Sequence, residues 1–262
     1  MSELRLRNPH SVLAAIRSRP RDVLTISPGR GKPTPAWREV EAEAAAAGIS
    51  IGTAVASPGN APKKRGHGGG RRGGRPNTRG DNRQSRDGAE AVVRPKPPAE
   101  LDDVLPAGEP AEPGLWLAID CVQDPQNLGA ILRSASFFGV RGVLLTKDKT
   151  APLSATAYDI ACGGVEDVAI CPVTNLVRTF EVAKSRGLWV LGTSEHAELD
   201  LAEVDRDRSW LVVVGNEESG IRRLTADNCD QLCRVAPRGL VTSLNASVAA
   251  GVVLMGLTAG RG

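Results

Sequence analysis

The second half of the chain alternates short apolar runs with helical segments, and this alternation restricts the possible folds more than any other feature. From residue 114 onward, the predicted strands are Leu115–Val122, Val140–Thr146, Val168–Val173, Leu188–Thr193, Trp210–Val214 and Leu232–Ala236. The predicted helices are Asn127–Phe138, Ser154–Cys162, Asn175–Arg186, Thr225–Asp230 and Ser247–Ala259. Apolar strands separated by helices indicate an α/β fold with a mostly parallel sheet covered on both faces. Ligands of such sheets bind at the C-terminal ends of the strands, so the loops after the strands are candidate functional segments.

The first 97 residues indicate a smaller α/β unit. Its predicted helices are Ser11–Arg17 and Pro35–Ala47, and its predicted strands are Asp22–Ser27, Ile49–Val55 and Ala89–Arg94. The residues that follow are rich in proline and acidic side chains, which favours a linker. We therefore predict an N-terminal domain at residues 1–97, a linker at 98–113 and a second domain at 114–262.

Residues 59–88 carry much of the chain's positive charge. They contain nine Lys or Arg residues and only two Asp, although the whole chain has a formal charge of +3. The segment is rich in Gly and lacks Ile, Leu, Val, Phe and Trp. It therefore has too little apolar surface to offset the entropy of ordering, and we predict a disordered insertion. A basic Gly/Arg segment favours polyanions through counterion release, and a solvated loop without a ligand is the alternative.

Composition argues against several classes of protein. Aromatic residues make up 3% of the chain, which disfavours nucleic-acid recognition on stacked aromatic platforms. His10, His67 and His196 are far apart and lack neighbouring cysteine pairs at zinc-ligand spacing, so we expect no metal site. Five cysteines without a framework spacing favour a reducing cytoplasmic location. No apolar run approaches the ~20 residues of a membrane span, and the N-terminus lacks an export signal.

The first candidate for chemistry is the segment Asp120–Arg133, which begins at the end of the predicted strand Leu115–Val122. Pro125 ends the strand, and Asn127 stands where we predict a helix N-cap. Arg133 lies off the apolar stripe of the following helix and has small neighbours such as Gly129, so its guanidinium has room to bind a planar anion. A solvent-facing arginine behind an ordinary helix cap is the alternative.

The second candidate is the loop at Val212–Ile221. An apolar strand runs into a turn with two adjacent carboxylates, Glu217 and Glu218, between Gly215 and Gly220. The glycines permit close backbone approach or positive φ. Their spacing matches neither a dinucleotide-binding motif nor a phosphate-binding P-loop. An acidic loop suits a ligand with hydroxyl groups or positive charge, and a simple polar turn is the alternative.

The third candidate is Pro237–Ser247, which leads into the last apolar helix. Ser243, Asn245 and Ser247 place three polar side chains at the start of this helix. One of them must cap the helix. Three such residues exceed what one cap requires, which indicates a further role for this segment.

Three segments, taken together in this order and spacing, resemble the motifs of the SpoU/TrmH family of RNA ribose 2′-O-methyltransferases. They are Asn127–Arg133, Gly215–Gly220 and Ser243–Ser247. The resemblance extends through Ser154–Gly164 and Val173–Leu176 and covers about Leu115 to Leu257. Within the family, the chain is most similar to the bacterial branch that methylates a guanosine ribose in large-subunit rRNA. That branch carries an N-terminal domain of the ribosomal-protein L30e type, which matches the small α/β unit.

The resemblance implies a deep trefoil knot in the second domain and S-adenosylmethionine as the cofactor. The residues at the family's cofactor-binding positions are Gly192, Thr193, Ser194, Gly215, Asn216, Glu217, Val235, Pro237, Ser243, Leu244 and Asn245. The resemblance also implies a homodimer whose interface includes the C-terminal helix and whose active sites combine residues of both protomers. The expected partner is RNA, in particular large-subunit rRNA.

The residues at the family's catalytic positions are Arg133, Asn127, Glu217, Ser243 and Asn245. A guanidinium keeps its proton at neutral pH, so Arg133 is a poor general base. Our hypothesis is that Arg133 clamps the neighbouring RNA phosphate and stabilises the developing oxyanion, while the proton leaves to phosphate or water. Asn127 would orient Arg133 or the ribose. Glu217 and Ser243 would organise the site around it, and Asn245 would hold its loop beside the cofactor.

The chain departs from the family pattern at two places. Arg83–Gly88 stands where related N-terminal domains have a Val-His-Gln-Gly-like segment, so the RNA target is less well defined than the reaction. Glu218 stands where relatives often have a glycine, which stiffens the loop. Methylation of a tRNA ribose remains an alternative. A catalytically idle factor that binds RNA or assists ribosome assembly is another.

Overall fold

The fold comes from a computed structural model that describes residues 3–52, 88–216 and 219–259. The predicted basic insertion lies outside these ranges, except for Gly88. Glu217 and Glu218 of the second motif also lie outside them. Within the described ranges, no helix is both long enough and apolar enough to cross a membrane.

The N-terminal unit is a three-stranded antiparallel sheet with two helices. Its elements are β1 (Leu4–Leu6), α1 (Pro9–Ser18), β2 (Val23–Ser27), α2 (Pro35–Ala46) and β3 (Glu90–Val93). Asn8 and Thr34 cap the two helices through their side chains, and each helix begins with a proline, whose missing N–H costs nothing there. The strand order is β1-β3-β2, so β3 pairs with strands that precede the basic insertion in the chain.

Two details of this unit differ from the sequence-based prediction. β1 has only three residues, too few to show an alternating pattern, and was not predicted. The predicted strand Ile49–Val55 was wrong over its described part, where Ile51 makes only an isolated bridge to Ile26. Gly48 adopts a positive φ of 69°, and the Ile49 amide bonds back to the carbonyl of Ala44. Ile49 therefore takes part in the C-terminal cap of α2, at the position where the prediction placed the start of a strand.

The rest of the chain forms a seven-stranded sheet and its covering helices. Its strands are β4 (Leu115–Ile119), β5 (Val143–Thr146), β6 (Ile170–Val173), β7 (Trp189–Thr193), β8 (Leu199–Asp200), β9 (Trp210–Val214) and β10 (Gln231–Arg234). Its helices are α3 (Leu101–Val104), α4 (Pro125–Phe137), α5 (Ala155–Ala161), α6 (Gly164–Asp167), α7 (Leu176–Ser185), α8 (Arg223–Ala226) and α9 (Ala246–Thr258). The strand order is β6-β5-β4-β9-β7-β10-β8, and every neighbouring pair is parallel. The predicted parallel α/β sheet is confirmed.

Both faces of this sheet are covered, as the apolar strands predicted. Leu117 and Ile119 of β4 pack in one core cluster with residues of α4 such as Ile131. Trp116, the alternate residue of the same strand, packs in a second cluster with Phe180 of α7. Alternate side chains of a strand point to opposite faces, so a central strand such as β4 contributes to both clusters. This two-sided burial explains the nearly continuous apolar runs.

The segment predicted as a linker packs against the large sheet. It contains α3, and both Val104 and Leu105 are buried. The Val104 carbonyl accepts a hydrogen bond from the Trp116 indole at 2.8 Å, and the Ala99 amide donates to the carbonyl of Ile170 at 2.9 Å. These contacts attach the segment to β4 and β6.

The N-terminal unit is joined to the large sheet through α5 and α6. Ser11 of α1 donates to the carbonyl of Tyr158 at 2.7 Å. The Lys96 ammonium donates to three carbonyls at the end of α6, those of Val165, Glu166 and Val168. A cation at the C-terminal end of a helix satisfies carbonyls that lack partners within the helix. Burial lowers the pKa of Lys96.

An ion pair within this junction is expected to contribute strongly to stability. Arg19 donates two hydrogen bonds of 2.7 Å to Glu166, whose side chain is 3% exposed. Glu166→Ala leaves Arg19, whose side chain is only 12% exposed, without its main partner. We therefore expect a loss of ~3–5 kcal/mol in the free energy of unfolding, measured by urea denaturation.

Glu39→Ala is the matched control, because Glu39 pairs with Arg17 at the surface and is 53% exposed. This variant should cost at most ~1 kcal/mol. Equal losses for Glu39→Ala and Glu166→Ala would contradict the structural importance of the buried pair.

Candidate active site

Residues of the loops that follow β7, β9 and β10 line an open cavity of about 560 Å³ at the C-terminal edge of the large sheet. Ligands of parallel α/β sheets bind at this edge, and the volume lies within the ~300–1,000 Å³ typical of small-molecule sites. The predicted cofactor positions in its wall are Thr193, Ser194, Gly215, Asn216, Val235, Ser243 and Leu244. The fold thus brings residues from three distant loops into one cavity.

Four predicted positions are not part of the described wall. Glu217 lies outside the described residues. Pro237 is exposed and Asn245 turns toward another motif, and neither lines the cavity. Gly192 lies beneath the wall, because a Cβ there would come within 2.6–2.9 Å of three side-chain atoms of Leu232, Ile221 and Cys229. We therefore assign Gly192 to the packing that supports the cavity.

Gly215 and Gly220 form the tight turn of the second motif. The backbone groups of Asn216 and Gly220 exchange two hydrogen bonds of 3.0 Å. A Cβ on Gly215 would lie 2.2–2.3 Å from backbone atoms of Gly220 and Ile221, and Gly220 has a φ of +65°. The two glycines therefore meet the two needs that the sequence predicted, close approach at Gly215 and positive φ at Gly220.

Asp120 anchors this turn, a role that was not predicted from the sequence. Its carboxylate is fully buried at the end of β4, accepts a hydrogen bond from the Arg222 amide at 3.1 Å and pairs with the Arg222 guanidinium at 2.8 Å. Asn216 also donates to the carbonyl of Cys121 at 3.1 Å, and Cys121 has a φ of +61°. The only local signal was a carboxylate directly after an apolar strand, since its partner lies 102 positions away.

The first and third motifs meet through two asparagines. The Asn245 amide donates to the side-chain oxygen of Asn127 at 3.0 Å, while the Asn245 oxygen accepts the Ser247 amide and caps α9. The prediction that Asn127 caps α4 was wrong, because Asp124 is the cap. A proline fits best at the first helical position, so Pro125 starts the helix and Asn127 falls in its first turn. In this position the Asn127 side-chain oxygen accepts the hydrogen bond from Asn245.

Arg133 does not line the cavity of its own chain. Its side chain leaves α4 toward the turn between α5 and α6, where a guanidinium N–H donates to the Cys162 sulfur at 3.3 Å. The chain therefore brings Asn127 and Asn245 together next to the cavity but directs Arg133 elsewhere.

The one cysteine in the described wall of the cavity is a neutral thiol. Cys233 is 1% exposed, and burial raises its pKa to about 12. A thiol is a weak nucleophile until it loses its proton, so Cys233 is unsuited to covalent catalysis at neutral pH. In the described ranges, no group of three or more His, Cys, Asp or Glu residues is arranged to hold a metal ion.

A parallel α/β sheet with a ligand-sized cavity at its C-terminal edge defines a class of proteins that bind a small organic ligand at their strand ends. Glycine and asparagine loops shape the cavity here. The sequence model of the SpoU rRNA Methylase family matches residues 114–255, just over half of the chain. The chain belongs to this family.

Named relatives are found among bacterial proteins. The chain is 49% identical over 140 residues to the 23S rRNA (guanosine-2′-O-)-methyltransferase RlmB of Pseudomonas aeruginosa, covering 53% of this chain and 56% of that protein. It is 44% identical over 155 residues to the protein of the same name from Vibrio vulnificus, covering 59% and 62%. The matched region thus spans less than two thirds of these relatives.

Solved structures share the fold. The SpoU methyltransferase AviRb from Streptomyces viridochromogenes has a TM-score of 0.73 at 20% identity, with 99% of this chain and 90% of that chain covered. The A. aeolicus TrmH/SpoU tRNA modifying enzyme has a TM-score of 0.52 at 28% identity, with 62% and 80% covered. The first of these similarities extends over the N-terminal unit as well as the large sheet.

Proposed function

We propose that this protein transfers a methyl group from S-adenosylmethionine to a ribose 2′-hydroxyl of RNA, and that the target is a guanosine of large-subunit rRNA. The observation that carries the proposal is the single cavity formed by motif residues far apart in the chain, such as Gly215 and Ser243. Family membership and the names of the relatives agree with it.

The cavity fits the chemistry of this cofactor. Its wall combines apolar side chains, such as Leu244 and Val253, with the hydroxyl and amide groups of Thr193, Asn216 and Ser243. A nucleoside with an amino-acid tail needs both kinds of surface. These residues would hold S-adenosylmethionine, which when bound supplies an electrophilic methyl group.

The position of Arg133 supports an active site shared between two chains. Arg133 lies outside the cavity of its own chain. Phe137 of α4 is 82% exposed, and Val248 and Met255 of α9 are 50% and 57% exposed. Such apolar side chains on two adjacent helices favour burial in an interface. We propose a homodimer in which Arg133 of one protomer faces the cavity of its partner.

The proposed reaction depends mainly on position and charge. A ribose hydroxyl is a poor nucleophile, and holding it in line with the methyl group supplies much of the acceleration. Arg133 remains protonated, so it would clamp the adjacent phosphate and stabilise negative charge developing on the ribose oxygen. The ribose proton would leave to phosphate or water. Asn127, fixed by Asn245 at 3.0 Å, would orient the ribose beside it.

Other residues of the motifs would organise this site. Ser243 contributes a hydroxyl to the cavity wall. The hydrogen bond from Asn245 would also keep the third motif next to the cofactor. Glu217 follows Asn216 in the acidic loop, and we propose that its carboxylate balances the positive charge of the sulfonium.

We also propose the finer architecture that the resemblance implies. The sheet order supports a deep trefoil knot, because β9 lies between β4 and β7 although it follows both in the chain, and β10 lies between β7 and β8. We assign residues 1–97 to an L30e-like domain that binds the RNA substrate and contains the insertion 59–88. Residues 98–113 connect it to the methyltransferase domain at 114–262. Five free cysteines favour action in the cytoplasm.

Methyl transfer from radiolabelled S-adenosylmethionine tests the proposed function. The substrates would be 23S rRNA and tRNA from a strain lacking the protein, and alkaline hydrolysis would locate the 2′-O-methyl group. We expect label in a guanosine of 23S rRNA. Label confined to tRNA would overturn the substrate assignment. Cofactor binding by calorimetry without transfer to any RNA would instead identify a catalytically idle RNA-binding factor.

Deleting residues 60–87 tests the role of the basic insertion in RNA binding. The deletion is expected to weaken the affinity for rRNA and to flatten the slope of log Kd against log salt, because fewer counterions are released. Calorimetry should show unchanged binding of S-adenosylmethionine. Equal salt slopes with and without the segment would support the alternative of a solvated loop.

A further inference from the structure

The turn from Cys162 to Gly164 lies between the N-terminal unit and the helix that carries Arg133. Cys162 has a φ of +50° and Gly163 a φ of +100°. A Cβ on Gly163 would lie 3.0 Å from the Cβ of Ala14 in α1. A Cβ on Gly164 would lie 2.7 Å from the carbonyl oxygen of Leu132 and 3.1 Å from the Cα of Arg133. Residues 163 and 164 therefore need to be glycines, because the backbone of the turn lies against α1 on one side and α4 on the other.

The sulfur of Cys162 accepts hydrogen bonds from both sides of this turn. Arg133 donates a guanidinium N–H at 3.3 Å, and Asn8 donates its side-chain amide at 3.1 Å. Asn8 is itself held firmly, since it also donates to the carbonyl of Asp159 at 2.8 Å and caps α1. The Asp159 carboxylate in turn accepts the backbone amides of Arg7 and Asn8. One thiol thus connects the N-terminal unit to the arginine of the first motif.

We propose that Cys162 is a positioning residue that holds the Arg133 guanidinium in place and couples it to the N-terminal unit through Asn8. This inference rests on the proposed catalytic role of Arg133. A long arginine side chain on a helix surface has many rotamers, and a fixed acceptor reduces them before RNA binds. A guanidinium has five N–H donors, so Arg133 can keep its hydrogen bond to the Cys162 sulfur while its other N–H groups bind a phosphate.

The first test compares Cys162→Ala with Cys162→Ser in the full-length protein. We expect Cys162→Ala to lower kcat for methyl transfer about tenfold, equivalent to losing one hydrogen bond to a charged group. The KM for RNA and the affinity for S-adenosylmethionine should stay within about twofold, because Cys162 does not line the cavity and would act on RNA only by orienting Arg133. Cys162→Ser retains an acceptor and should recover most of kcat.

Cys171→Ala is the matched control. Cys171 is buried in β6, packs in the core cluster on the opposite face of the sheet from α4, and has its sulfur 4.0 Å from the Pro172 carbonyl. The substitution Cys171→Ala removes a buried thiol that does not contact Arg133, so kcat should remain near the wild-type value. Thermal unfolding of all three variants shows whether they are folded.

A double-mutant cycle separates positioning from a general structural role. If Cys162 acts through Arg133, Cys162→Ala should cause no further loss in an Arg133→Ala background under single-turnover conditions. A loss that is equal in both backgrounds, unchanged kcat in Cys162→Ala, or failure of serine to restore kcat would overturn the inference. If the wild type transfers methyl groups and the variants give any of these results, the inference about Cys162 fails and the proposed function stands. Cofactor binding without methyl transfer by the wild type overturns both.

Discussion

Arg133→Ala is expected to lower the rate of methyl transfer by roughly 10²–10³-fold, the usual cost of removing one group that stabilises a developing oxyanion. The affinity for S-adenosylmethionine should stay within about twofold, because the proposed ligand of Arg133 is the RNA phosphate and not the cofactor. Single-turnover transfer to rRNA measures the first quantity, and calorimetry measures the second. Arg133→Lys should also be impaired, since an ammonium lacks the planar fork that binds phosphate at two points. Near-normal turnover in Arg133→Lys would contradict the clamp.

The same variant tests whether the active site is shared between protomers. Arg133→Ala chains co-expressed with Gly215→Ala chains should recover about a quarter of wild-type activity if random C2 dimers form and the concentration of S-adenosylmethionine is too low to load the Gly215→Ala cavity. Half of those dimers are mixed, and each mixed dimer pairs one intact cavity with one intact arginine. If each chain supplied its own complete site, the mixture would be no more active than the separate variants.

Gly215→Ala is expected to weaken the binding of S-adenosylmethionine roughly 10- to 100-fold, from the ~1–3 kcal/mol cost of forcing a methyl group into a packed position. The new Cβ would lie 2.2–2.3 Å from backbone atoms of Gly220 and Ile221. Backbone atoms cannot rotate away as a flexible side chain can, so the turn of the second motif must shift. Calorimetric titration of the cofactor into the variant measures the effect.

Gly108→Ala is the control for the added methyl group. Gly108 is exposed, has open space around its Cβ position and lies far along the chain from the motifs. Its cofactor affinity should equal that of the wild type. Unchanged cofactor affinity in Gly215→Ala would show that the cavity is not the cofactor site.

Elements with strong local patterns were predicted well, and the errors occurred where long-range contacts override them. The apolar run Trp210–Val214 coincides with β9, because both faces of this strand are buried and every one of its residues is therefore apolar. The two-residue strand β8 was not predicted, because it exists only by pairing with β10. The start of α4 was misplaced because Asn127 and Asp124 are both good caps, and the position of Pro125 decided between them.

In the candidate site, too, features with a local sequence pattern were predicted and features that depend on long-range contacts were not. The three motif segments were identified from residue types and spacing, and the fold places Gly215, Asn216 and Ser243 in one cavity. The orientation of Arg133 toward Cys162 was not predicted, because it depends on the close packing of α4 against α5 and α6 at Gly129 and Gly164. The anchoring carboxylate of Asp120 escaped prediction for a similar reason, since its partner Arg222 is brought near by the sheet order.

Residue patterns along the chain were thus enough to identify the parallel α/β architecture, the loops that carry chemistry and the family resemblance. These features depend on side-chain periodicity and on residues close together in the chain. Only the tertiary structure shows that Asn245 hydrogen-bonds to Asn127. It also shows that Glu166 forms an ion pair with Arg19 between the two units. The direction of Arg133, away from the cavity of its own chain, is likewise a property of the packed structure. Each of these depends on contacts between residues 29 to 147 positions apart, and no local pattern encodes which distant groups a folded backbone will bring together.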